Sequence, residues 1–153
     1  MNKSSDDEGS PQQSLSGLEQ LRAYIARGQR PGIAVSLDFA LLEVAEGRAV
    51  FAGKPGRHAY NPMGTVHGGY AATLLDSACG CAVHASLSAT QIYTTLELKV
   101  AYHKPITAET GLLRAIGRVV TLGKRVAFAE AMLTDATERL YASATSTLLI
   151  MEK

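Results

Sequence analysis

Between Arg57 and Glu97 only one side chain carries a fixed formal charge, and it is Asp76. It sits in a stretch from Gly69 to about Leu87 that reads as one helix of roughly 18 residues, about 27 Å long at 1.5 Å rise per residue. Leu74, Cys81 and Ala85 on one side, and Ala72, Cys79 and Val83 on another, are apolar or small. A helix apolar all round is expected to be buried. An unpartnered carboxylate inside it is expensive, so Asp76 needs either a structural partner or a chemical task. The expectation taken forward is a task.

The rest of the chain has to cover that helix. With 153 residues, the chain is read as one domain of ordinary size. A net charge of +1 gives no electrostatic case for binding nucleic acid or an anionic membrane. Cys79 and Cys81 point in different directions on a helix and lack zinc-ligand spacing, so they read as small core residues. Met1 to Ser14 is polar with no apolar run, unlike a signal peptide or membrane anchor, so residues 1–15 are expected to be a disordered tail and residues 16–153 a single domain. Asp76, Gly68-Gly69, Gly80 and His84 argue against a membrane span, and a cytoplasmic location is the default.

Leu18, Leu21, Tyr24 and Ile25 have helical spacing from Ser16 to Gly28, with Ser16 as N-cap and Glu19 completing a capping box. Ile33 to Val44 and Arg48 to Ala52 read as a hairpin turned at Glu46-Gly47. Arg57 to Val66 is loop. Beyond the long helix, strands are expected over Ile92 to Lys104, Thr110 to Leu122, Arg125 to Asp135 and Leu140 to Met151. In the first of these, Tyr93, Thr95, Glu97, Lys99 and Ala101 alternate with Thr94, Leu96, Leu98, Val100 and Tyr102. Neither a sheet nor an apolar helix can bury its own surface. The economical solution is an α+β fold, a curved antiparallel sheet of about six strands wrapped around the helix.

His67-Gly68-Gly69 lies where loop becomes helix. First-turn N–H groups lack partners there, and the helix dipole adds partial positive charge. Without side chains at Gly68 and Gly69, a ligand oxygen can approach the backbone, as an oxyanion site requires. Gly68 and Asp76 are separated by roughly 12 Å along the axis, too far to act on one carbonyl. Two antiparallel copies of the helix about a twofold would bring each Asp76 to the partner's Gly68. His67 either orients a substrate or caps the loop. Asn61 either holds a water or the carboxylate, or makes an Asx turn before Pro62. Lys124 and Arg125 at a hairpin tip are either a solvated turn or a seat for phosphates. The spacing Gly117-x5-Gly123-Lys124-Arg125 in a strand-turn-strand context is not a P-loop. His58, His84 and His103 receive no role.

Asn61-Pro62, His67-Gly68-Gly69 and Asp76 together form N-x5-H-G-G-x6-D, which resembles the hotdog-fold acyl-CoA thioesterases and most of all their PaaI-like (phenylacetate-degradation thioesterase) branch. Tyr93 to Pro105 and Gly123 to Phe128 add to the likeness, which spans about Ala34 to Ile150. The resemblance implies that Asp76 is the nucleophile or general base, and that the Gly68 amide polarises the thioester carbonyl across a dimer interface, with Gly69 beside it. It implies positioning roles for Asn61 and His67, and a hydroxyl assisting the carboxylate at Thr95, with Thr94 as fallback. It assigns CoA binding to Thr121, Leu122, Gly123, Lys124, Arg125 and Val126. Gly80 stands where a Glu-based branch carries a hydroxyl, which points away from that branch.

The function so implied is hydrolysis of an acyl-CoA to acid and CoA by a homodimer, assembled into a homotetramer, with no cofactor and no metal. The alternatives on the same fold are a hydratase or dehydratase of enoyl- or hydroxyacyl-CoA, or a non-catalytic acyl-CoA-binding protein. The residues are silent on the acyl group.

Overall fold

A computed structural model describes residues 14–153; most of the expected N-terminal tail lies outside the described residues. The described chain runs through α1 (Gly17–Ala26), α2 (Gly32–Ser36), β1 (Phe39–Ala45), β2 (Arg48–Gly53), α3 (Gly68–His84), β3 (Gln91–Tyr102), β4 (Leu113–Leu122), β5 (Val126–Asp135) and β6 (Leu140–Glu152). The six strands form one antiparallel sheet in the order β1-β2-β4-β5-β6-β3. The sheet wraps α3, which touches all six strands, so the expected architecture is the observed one. Among the described residues, β1 and β3 are its edge strands.

Apolar burial holds the two layers together. Leu74, Leu75, Ala78, Cys79, Ala82 and Val83 of α3 are fully buried against Leu113, Ala115, Leu133 and Leu148 of the sheet. Each buried leucine contributes about 1.5–3 kcal/mol. Small residues set the spacing: a Cβ at Gly117 would run into the backbone at Ala78, so only glycine lets β4 lie this close to α3. The capping box at α1 forms as read, with the Ser16 N–H donating to Glu19 Oε2 at 2.8 Å and the Glu19 N–H to Ser16 Oγ at 3.4 Å.

Three expectations need correction. Ile33 to Ser36 is no part of a strand, because the Pro31 carbonyl accepts the N–H groups of Ala34 and Val35 at 2.9 and 3.1 Å and starts α2. Asp38 then takes a left-handed φ of 54°, and β1 begins only at Phe39. Second, β4 begins at Leu113 rather than Thr110, since a 3-10 turn at Ala108–Thr110 and Gly111 at φ 79° precede it. Third, β3 does not alternate throughout. A bulge between Thr95 and Glu97 leaves Leu96 without a partner on β6, so Tyr93 and Thr95 face α3 before it and Leu98 and Val100 after it. One extra residue inverts the parity of everything that follows.

Candidate active site

The site is built on the first two and a half turns of α3. The loop before it is fastened by Asn61, whose Oδ1 accepts the N–H groups of Met63 (3.0 Å) and Thr65 (3.2 Å) while its Nδ2 donates to Thr65 Oγ1 (3.0 Å). Within the chain, the Asx-turn reading of Asn61 is therefore realised. The Val66 N–H donates to the Ile106 carbonyl at 2.8 Å and the His67 N–H to that of Ala59 at 2.7 Å, which fixes where the helix starts.

His67 is the N-cap, and its Nδ1 accepts the Gly69 N–H at 2.8 Å. That bond assigns the ring's proton to Nε2, since Nδ1 must carry a lone pair to accept. The Gly68 N–H, one residue earlier, has no hydrogen-bond partner among the described residues. It lies at the positive end of a 17-residue helix, so it is a free donor for a polarised oxygen. Two hollows flank this point. One, of about 330 Å³, is lined by His67, Gly68, Tyr102, His103 and Lys104; the other, of about 450 Å³, by Leu37, Tyr60, His67, Tyr70 and Thr73.

Asp76 lies two turns along. It is half-buried, not enclosed, and this corrects the picture of a helix covered on all sides. Gly69 is exposed and Ala72, Thr73, Asp76 and Ser77 are half-buried, forming a stripe that the sheet leaves open. Asp76 Oδ1 accepts the Thr95 hydroxyl at 3.1 Å, whereas Oδ2 has no partner among the described residues. Thr94 is exposed on the opposite face of β3, so Thr95 is the threonine at the carboxylate. The neighbouring thiols offer no competing nucleophile. Burial pushes Cys79 and Cys81 up to about 12, and the Asp76 carboxylate adds to the effect.

The candidate residues fall into three groups: Asn61 with Thr65, His67 with Gly68 and Gly69, and Asp76 with Thr95. No hydrogen bond joins them within the described chain. Thr121 to Val126 span the end of β4, the turn Gly123-Lys124-Arg125 and the start of β5, closed by the Gly123 N–H on the Val126 carbonyl at 2.9 Å, with Lys124 and Arg125 exposed. Tyr102, read from the sequence only as a strand residue, reaches the helix start and donates its hydroxyl to the Gly68 carbonyl at 2.9 Å. The alternation of β3 groups Tyr102 with Leu98 and Val100, which face α3, but does not signal that its hydroxyl reaches the helix start. Among the described residues no cluster of three or more His, Cys, Asp or Glu side chains is gathered as a metal site, and no helix is long and apolar enough to cross a membrane.

Comparison with known proteins gives the family and the fold. The family model described as the Thioesterase superfamily matches residues 63–142, which include the helix start, Asp76 and Thr95. The chain belongs to the thioesterase superfamily, and its fold is the hotdog fold. It is 25% identical over 122 residues to the 1,4-dihydroxy-2-naphthoyl-CoA hydrolase of Listeria monocytogenes, covering 80% of this chain and 98% of that one. A thioesterase family protein of Silicibacter pomeroyi superposes with a TM-score of 0.78 at 26% identity, over 90% of this chain and all of the other. A phenylacetic acid degradation-related protein of Ralstonia eutropha JMP134 gives 0.74 at 27% identity, over 83% and 97% of the two chains. The PaaI-like resemblance drawn from Asn61, His67-Gly68-Gly69 and Asp76 is thereby borne out, and the chain is a thioester hydrolase.

Proposed function

We propose that this protein hydrolyses an acyl-CoA thioester at a site shared by two copies of the chain. The observation that carries the reading is the pairing of Thr95 with Asp76 on the one stripe of α3 that the sheet leaves open. The Gly68 N–H and Asp76 lie on one helix roughly 12 Å apart along its axis, beyond the reach of one carbonyl. Two antiparallel α3 helices facing each other through their open stripes remove that difficulty, each pairing its Asp76 with the other's Gly68. The edge strand β3, with Ile92 and Leu96 exposed, supports a dimer continued from sheet to sheet.

In this arrangement the Gly68 N–H and the helix dipole stabilise the negative charge that develops on the thioester oxygen. The Thr95 hydroxyl occupies Oδ1 of Asp76 and leaves Oδ2 for the reaction. Oδ2 either attacks the carbonyl carbon, giving a mixed anhydride that water then cleaves, or takes a proton from the attacking water. In both routes the C–S bond breaks, the CoA thiolate leaves and is protonated, and the carboxylic acid remains.

Asn61 and His67 are assigned to positioning the thioester and the water. The turn from Thr121 to Val126, with Gly69 at the helix start, is assigned to the CoA portion, Lys124 and Arg125 answering its phosphates. The same reading takes the functional unit as a cytoplasmic homotetramer of two such dimers.

Asp76→Asn tests the assignment. Release of CoA from benzoyl-CoA and hexanoyl-CoA, followed as free thiol, should fall by about 10²–10⁴-fold. The melting temperature should stay near that of the parent. Undiminished turnover in a folded Asp76→Asn protein refutes the role of Asp76.

A further inference from the structure

The helix start poses a mechanical problem. Two adjacent glycines open the backbone to a ligand, but glycine is the least restrained residue and weakens a helix by about 1 kcal/mol relative to alanine. An amide that must meet a developing oxyanion needs to be held still before the reaction, because preorganisation is what makes such donors effective. The cap at His67 restrains the Gly69 N–H, and the His67 carbonyl, in the same peptide unit as the Gly68 N–H, accepts the Tyr70 N–H at 3.0 Å; neither bond holds the Gly68 carbonyl.

That carbonyl is held by Tyr102. Its hydroxyl donates to the Gly68 carbonyl at 2.9 Å, and that carbonyl belongs to the same peptide unit as the Gly69 N–H. The Gly68–Gly69 peptide is thus gripped at both ends, by Tyr102 at its oxygen and His67 Nδ1 at its N–H. The ring also lies on Gly68, since a Cβ there would come within 3.0 Å of Tyr102 Cζ and its hydroxyl oxygen. Tyr102 is itself anchored: it pairs with Ala142 of β6, and the next two N–H groups, of His103 and Lys104, donate to the Tyr141 carbonyl at 2.8 and 3.2 Å. The residue is the last of β3 and more than half exposed (56%), so core packing does not account for its place.

We propose that Tyr102 is a positioning residue for thioester hydrolysis, its hydroxyl fixing the Gly68–Gly69 peptide and so limiting rotation about Gly68, which sets where the free N–H of the preceding His67–Gly68 peptide points. This rests on the reading of Gly68 as the carbonyl-binding amide. Tyr102 lines the hollow beside Gly68, but the action proposed for its hydroxyl is through the backbone. Its loss should therefore lower kcat and leave KM in place.

The test compares Tyr102→Phe and Tyr102→Leu with the parent and with Asp76→Asn, using benzoyl-CoA and free-thiol release. Tyr102→Phe keeps the ring over Gly68 and removes only the hydroxyl. The expected result is a fall in kcat of about tenfold with KM within about twofold and Tm within about 2 °C of the parent. Tyr102→Leu, which also uncovers Gly68, should lose more. A kcat within about twofold of the parent in Tyr102→Phe, a change confined to KM, or a kcat loss that only tracks a lower Tm overturns the proposal. A parent enzyme whose turnover survives Asp76→Asn identifies a failure of the underlying site instead.

Discussion

At its N-terminal end α3 opens on two glycines and leaves Gly69, Ala72, Thr73 and Asp76 at least partly uncovered, whereas toward its C-terminal end, where Cys81 and His84 are half-buried, neighbouring side chains and α1 pack against the helix. There Tyr93 lies on Gly80 so closely that a Cβ would overlap its ring, and α1 abuts His84 through Gly17 and through Gln20 Oε1, 3.2 Å from His84 Nε2. Both ends use glycine, but for different purposes. Gly68 clears room for the Tyr102 ring and, in the proposed function, for the thioester; Gly80 clears room for the Tyr93 ring. The lesson is that a small residue on a helix takes its meaning from what fills the space beside it. Substitutions at one end should therefore change catalysis, and those at the other stability.

The largest effect after that of Asp76→Asn is expected at the helix start. Gly68→Ala should reduce kcat by about 10²-fold, since the new Cβ crowds both Tyr102 and the approach to the amide. Co-expressed with Asp76→Asn, it should recover about a quarter of parental activity, because half of the dimers are mixed and each mixed dimer retains one intact site. No recovery in an isolated mixed dimer would mean that both groups serve one chain.

Toward the C-terminal end, Gly80→Ser drives a side chain into Tyr93. Overpacking of this kind costs about 1–3 kcal/mol and should lower Tm by about 5 °C, read by thermal melting, while turnover per folded molecule persists. Equal losses of stability and of turnover per folded molecule would erase the distinction between the ends.

The smallest effect concerns pH. Burial, aided by the Lys153 charge, holds His84 below the ordinary 6.5 of a histidine. The unfolded chain then binds more protons than the folded one between the depressed value and about 6.5, so stability rises with pH across that window. His84 contributes in full above 6.5, and its contribution is lost as the pH falls through the folded value. Melting from about pH 7.5 to about pH 5 should show a decline that His84→Gln flattens; an unchanged slope in His84→Gln would release His84 from that role.

Much of the helix and its site is legible in the order of residues alone. The lone acid in an apolar helix, the Gly68-Gly69 start and the Ser16–Glu19 box follow from residue type and spacing, because helical periodicity and end chemistry are local. The run from Ile33 misleads because its β-branched residues suggest a strand, while Pro31 and the left-handed Asp38 commit the backbone otherwise. The closure of α3 misleads for a different reason. Composition says that a helix is apolar, but not that six strands stop short of one face.

The sequence by itself determined that a helix would start on glycine beside a histidine cap, and would carry one carboxylate two turns later. Only the tertiary structure decided which side chains meet them. Whether Thr94 or Thr95 reaches Asp76 and whether Tyr102 reaches Gly68 depend on the register of β3 on β6 and on one bulged residue, Leu96. A period-two pattern cannot reveal such a residue, because the bulge is a property of the pairing between two strands distant in sequence.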